Sequence, residues 1–167
     1  RIARYRRERI TRFLDKPNSF GLKRSNLEAM DAALRNRGSI SRIKDFLPAA
    51  GEIAQEESIT RETNSSLRRQ IQLTMSSFES GLCCASDLIV SGFDTHTNHD
   101  ELHEPLLAHV NESIDMIWTE AEARGFSDRL TLVVASDFGR TPHYNPDNGK
   151  DHWPIGSAMV MQERPQW

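Results

Sequence analysis

The sequence predicts an α/β domain built on a mostly parallel sheet, preceded by a helical N-terminal segment. Three observations carry this reading. Short apolar runs in "SDLIVSGFD", "RLTLVVAS" and "IGSAMVMQ" have the length and β-branched content of buried strands. A long amphipathic stretch separates the first two, as a crossover helix does between parallel strands. The patterned stretches before Gly81 have helical rather than alternating spacing.

The elements follow in order. Residues 2–15 carry a loose apolar stripe of Ile2, Tyr5, Ile10, Phe13 and Leu14, broken by "DKPNSFG". Ser25 caps a second helix, with Glu28 completing a capping box and Gly38 stopping it. "SISRIKDFLP" is a third, short helix, and residues 48–60 are weakly patterned and read as a linker. In "ETNSSLRRQIQLTMSSFESG", Leu67, Ile71, Leu73, Met75 and Phe78 recur at helical spacing and Gly81 ends the run. The long helix "HDELHEPLLAHVNESIDMIWTEAEARG" turns Leu106, Leu107, Val110, Ile114, Ile117 and Trp118 inward. Pro105 fits its first turn and Gly125 its end. His103 and His109 read as surface or rim residues of that helix.

Composition narrows the function classes. Hydrophobic residues make up 37% and charged residues 27%, and no apolar run approaches the length of a membrane span. Residues 1–50 hold 13 Lys and Arg against 5 Asp and Glu, whereas residues 51–167 hold 8 against 19. The basic residues lie on helix-patterned sequence with few aromatics, which favours a solvated face over nucleic acid as a partner. The two cysteines, Cys83 and Cys84, are adjacent, which strains a disulfide, and two sulfurs alone cannot build a structural zinc site. Their apolar setting predicts buried thiols. The chain opens on "RIARYRRERI" and closes on "MQERPQW", so it reads as a fragment cut at both ends.

Chemistry gathers at the expected strand ends. In open α/β sheets ligands bind at the carboxyl ends of the strands. The first run ends in Asp94, His96 and His99, and the second in Asp137 and Arg140. The loop before the third holds Asp151 and His152. Carboxylate and imidazole together suit a divalent cation. In "DTH", Asp94 and His96 point to the same side of an extended chain. Asp94, His96, His99, Asp137, Asp151 and His152 are therefore all candidate metal ligands. Arg140 is either an anion clamp or the salt-bridge partner of Asp137. Asn145, Asn148 and Gly149 read as turn chemistry.

"GFDTH", then a long helix, then "SDFGRTP", an Asn-rich loop and "GKDHWP" resemble the bacterial domain-of-unknown-function family 1501 (DUF1501) over about residues 65–162. That family is similar in fold to the alkaline phosphatase and sulfatase superfamily. The resemblance implies a three-layer α/β/α domain spanning residues 61–167, incomplete here, with residues 1–60 as a helical insertion or cap. It implies a metal-dependent hydrolase of phosphate or sulfate esters, or else a non-catalytic metal- or glycan-binding member of the same fold. Zinc, manganese or calcium would be the cofactor, and an anionic small molecule or glycan the substrate. By the same resemblance Asp94, His96 and His152 hold one metal, Asp137 belongs to a second site, and the protein is periplasmic or secreted. Phe138 stands where phosphatases place a second-site His, and the nucleophile would lie outside this chain.

Overall fold

The computed structural model describes Ser41 and residues 43–165. The two helices expected before residue 40 lie outside the described residues. By its contacts the chain divides into two units, one comprising residues 1–47 and 76–84 and the other residues 48–75 and 85–167. In the first, a 3₁₀ turn at Ile43–Asp45 precedes Phe46, whose carbonyl accepts a 2.8 Å hydrogen bond from Ser76 Oγ. The second holds the three strand pairs, the long helix and every candidate ligand.

Two α-helices are described, α1 (Leu67–Glu79) and α2 (His99–Ala123). Both end as their glycines predict. Gly81 and Gly125 adopt φ of 68° and 71°, the left-handed conformation that L side chains resist. Around Gly81 the Leu82 and Gly81 amides bond back to Ser77 O and Phe78 O. Around Gly125 the Phe126 and Gly125 amides reach Ala121 O and Glu122 O. Each pair is a Schellman cap, which satisfies carbonyls that the last turn would leave open. Phe126 and Ala121 are both buried, the apolar contact that accompanies this cap.

The helix faces depart from expectation in detail. Leu67, Ile71 and Met75 of α1 are buried, as are Leu102, Leu106, Ile117 and Ala121 of α2, but Leu73 and Leu107 are exposed. The start of α1 is Leu67, whose amide is capped by Ser65 Oγ at 3.1 Å. Pro105 is inside α2 rather than in its first turn, because the helix already begins at His99. His109 is buried, not peripheral, and its Nε2 pairs with Ser65 Oγ at 2.9 Å. His103 is half-buried against Phe93, ring centroids 5.1 Å apart.

The strands overturn the predicted sheet. Among the described residues there is no three-layer sandwich and no parallel pair; the chain forms a small mixed α/β fold with three antiparallel two-stranded ladders. They are β1 (Glu57–Ser58) with β2 (Asn64–Ser65), β3 (Leu132–Ala135) with β6 (Ala158–Met161), and β4 (Gly139–Arg140) with β5 (His152–Trp153). The second and third predicted strands do pair, Leu132 with Met161 through Ala135 with Ala158, but in opposite directions. The reason is the connection. A parallel pair needs a crossover, usually a helix, whereas residues 136–157 run out through β4, turn, and return through β5.

The first predicted strand is no strand. Residues 85–95 join no ladder, and the backbone amide and carbonyl of Ile89 instead bond to the Gln70 side chain, each at 2.9 Å. Nor are these runs buried, since Ile89, Val133, Met159 and Val160 are all exposed. The cysteines are exposed too, because the chain after Gly81 does not enter a sheet interior. No helix among the described residues is long and apolar enough to cross a membrane.

Candidate metal centre

The loop that leaves β4 folds back on the segment that follows Phe93. Thr97 bridges Asn148, the Lys150 amide donates to Thr95 O at 3.0 Å, and the His99 amide donates to Asn148 O at 2.8 Å. Contact is so close at Gly149 that a Cβ there would lie 1.7 Å from His96 O. Only glycine allows the two segments to touch. Asn145 shapes the turn, its Oδ1 accepting from the Asp147 and Gly149 amides at 3.0 and 2.8 Å. That is the turn chemistry its sequence suggests.

This docking gathers Asp94, His96 and His152. Asp94 Oδ1 lies 3.1 Å from His96 Nε2 and 3.0 Å from His152 Nε2, and the two Nε2 atoms are 3.1 Å apart. The triangle faces solvent, with side-chain exposures of 69% for Asp94, 45% for His96 and 53% for His152. Three donors roughly 3 Å apart can each lie about 2.0–2.2 Å from one ion. One carboxylate and two imidazoles suit zinc or manganese, while calcium prefers an all-oxygen shell. The residues present thus fit the divalent cation the resemblance implies.

Arg140 closes one side. Its Nη1 donates to Lys150 O at 2.9 Å, and its Nη2 donates to Phe93 O at 2.9 Å and to Asp94 Oδ1. Arg140 thus bridges to Asp94 and not to Asp137. That hydrogen bond, followed by the one from His152, holds the Asp94 carboxyl well below the carboxylate range, at about 2. Asp151 is lowered as well, first by its hydrogen bond to His96 and then by that from Asn145. Burial, with a smaller push from Lys150, lowers His99.

The other candidates are not members of the triangle. Asp137 is exposed on the bend after β3 and makes no side-chain hydrogen bond or ion pair among the described residues. His99 is buried, its Nδ1 2.6 Å from Thr95 Oγ1 and its ring stacked on His103 at 4.3 Å. Asp151 contacts His96 from behind the triangle, Oδ1 to Nδ1 at 3.0 Å. Sequence reasoning missed the Phe93 carbonyl, Thr95 and the packing role of Phe138. Phe138 lies against the His152 ring at 4.1 Å, with the Arg140 guanidinium 5.6 Å from its centroid. Its place directly after a strand-end Asp was the signal available.

Residues 3–162 match the family described as "Protein of unknown function (DUF1501)". The chain belongs to the DUF1501 family. Neither the curated proteins nor the solved structures contain a match. For this DUF1501 member, then, the triangle of Asp94, His96 and His152 is the most organised group of ligating side chains among the described residues.

Proposed function

We propose that this DUF1501 protein binds one divalent cation, zinc or manganese, through Asp94, His96 and His152, and that the ion serves the hydrolysis of a phosphate or sulfate ester. The observation that supports this is the mutual 3.0–3.1 Å spacing of the three ligating atoms at a solvent-facing rim. When bound, such an ion polarises a phosphoryl or sulfuryl oxygen. The exposed side of the triangle leaves room for an anionic small molecule or a glycan ester. Asp94, ionised down to about pH 2, keeps its charge for the cation throughout the neutral range. Arg140 adds positive charge at the rim, but three of its donor contacts are already spent on Lys150, Phe93 and Asp94. It therefore supports anion binding through its field more than through free hydrogen bonds. An exported location, as the resemblance implies, belongs to this proposal.

A non-catalytic metal-binding role is the second reading. It is favoured by Phe138, which offers no ligand, and by the lack of any Ser, Thr or Cys side chain hydrogen-bonded to the triangle among the described residues. Elemental analysis after dialysis against zinc or manganese separates the possibilities. The expected result is about one equivalent of metal, lost in His96→Ala and His152→Ala. Because the resemblance puts the nucleophile outside this chain, which should be inactive alone, assays with aryl phosphate and aryl sulfate divide hydrolase from binder in a protein that also carries that nucleophile. A wild-type protein that retains no metal would sink both readings.

A further inference from the structure

We infer that Asp151 is a positioning residue for the centre rather than a ligand of it: it holds His96 in the tautomer that presents Nε2 to the cation, and Asn145 holds Asp151. This rests on the proposed metal site and adds a role to a residue that the sequence offered only as a candidate ligand.

The geometry distinguishes the two ring nitrogens of His96. Nε2 points into the triangle, 3.1 Å from both Asp94 Oδ1 and His152 Nε2. Nδ1 points out of it, onto Asp151 Oδ1 at 3.0 Å. An ionised carboxylate is acceptor-only, so this hydrogen bond places the proton on Nδ1. Asp94 Oδ1 meets Nε2 only as an ion-pair distance, whereas Arg140 Nη1 is a donor 3.5 Å from Nε2, which agrees with a lone pair on that nitrogen. Ligating histidines commonly donate their other N–H to a carboxylate, which fixes ring and tautomer together.

Asp151 is itself held from several directions. Asn145 Nδ2 donates to the same Oδ1 at 3.2 Å and to His96 O at 2.9 Å. The Asn145 amide cannot be turned round, because its Oδ1 already accepts two backbone amides. The Asp151 amide donates to Thr141 Oγ1 at 3.1 Å, and its carbonyl accepts from the Thr141 amide at 2.9 Å. Asp151 Oδ1 thus has a set position and two donors. The other imidazole is held differently: His152 has no partner on Nδ1 among the described residues and is fixed by its packing against Phe138 at 4.1 Å. Only one of the two ligating imidazoles has a carboxylate behind it.

The test compares wild type, Asp151→Asn and Asp151→Ala. Zinc affinity is measured by competition with a chromophoric chelator, and the His96 tautomer by nitrogen NMR of the metal-free protein. Asp151→Ala should weaken zinc by about 10–100-fold while still binding one equivalent. Asp151→Asn keeps an acceptor oxygen and should recover most of the affinity. Metal-free wild type and Asp151→Asn should show His96 protonated on Nδ1, and Asp151→Ala a tautomer mixture. Unchanged affinity and tautomer in Asp151→Ala would overturn the inference. So would complete loss of the equivalent in a folded Asp151→Ala protein, which would make Asp151 a ligand. Wild type that binds no zinc yet shows the Nδ1 tautomer would overturn the metal reading while leaving the Asp151–His96 contact established, so the two failures are distinguishable.

Discussion

Among single residues, His103 is one that the fold holds away from its charged form. Burial, and then its stacked neighbour His99, lower it from 6.5 to about 4, with smaller contributions from Arg140 and Lys150 against an opposing one from Asp100. Its buried Nδ1 has no hydrogen-bond partner. Between pH 6.5 and 4 the unfolded chain takes up a proton that the folded chain resists, so stability falls as pH drops through that window. His103→Gln should show a shallower loss of melting temperature between pH 7 and pH 5 than wild type, as followed by circular dichroism. An unchanged slope would remove His103 from the account. At this scale the sequence was informative where chemistry is local. The "DTH" spacing put Asp94 and His96 on one side, and "KDH" offered His152. Asp137 looked equivalent in print but is not, because the direction of the chain after β3 was not written in its neighbours.

Elements were legible when their ends carried stereochemical signals. Gly81 and Gly125 stopped α1 and α2 where a left-handed residue was needed, and the apolar spacing found most of their buried faces. Strand character was far less legible, since an apolar run says nothing about its hydrogen-bond partner. Residues 85–95 show this most clearly, for a glutamine side chain stands in for a neighbouring strand at Ile89. Gln70 therefore links α1 to the segment that carries Asp94. Gln70→Ala removes both hydrogen bonds to Ile89 and a weaker one to Ser66 Oγ, and the loss should be about 1–2 kcal/mol in urea unfolding. Gln70→Glu keeps one acceptor for the Ile89 amide and should cost less. Equal stability of all three proteins would show that the contact carries no weight.

For the whole molecule, the largest correction is one of direction. Strand, helix, strand suggested a parallel sheet, yet β3 and β6 run antiparallel. A clue was present in "SDFGRTPHYNPDNGKDHWP", which contains no helix able to carry a crossover between them. The Asp94–His152 contact does not depend on that direction, because the out-and-back path of β4 and β5 also delivers His152 to Asp94. His96 and His152 are 56 positions apart in the chain. Joining two such distant points removes conformational freedom that the unfolded chain would otherwise keep. A bound cation would therefore act as a removable staple as well as a chemical group. At a hundredfold excess over its dissociation constant it would stabilise the folded chain by about 2.7 kcal/mol. Zinc should raise the melting temperature and slow tryptic cleavage between the two histidines, and a chelator should reverse both. On this view the protein's resistance to proteolysis would follow the local supply of metal, with loss of the ion removing one of the ties across that 56-residue span.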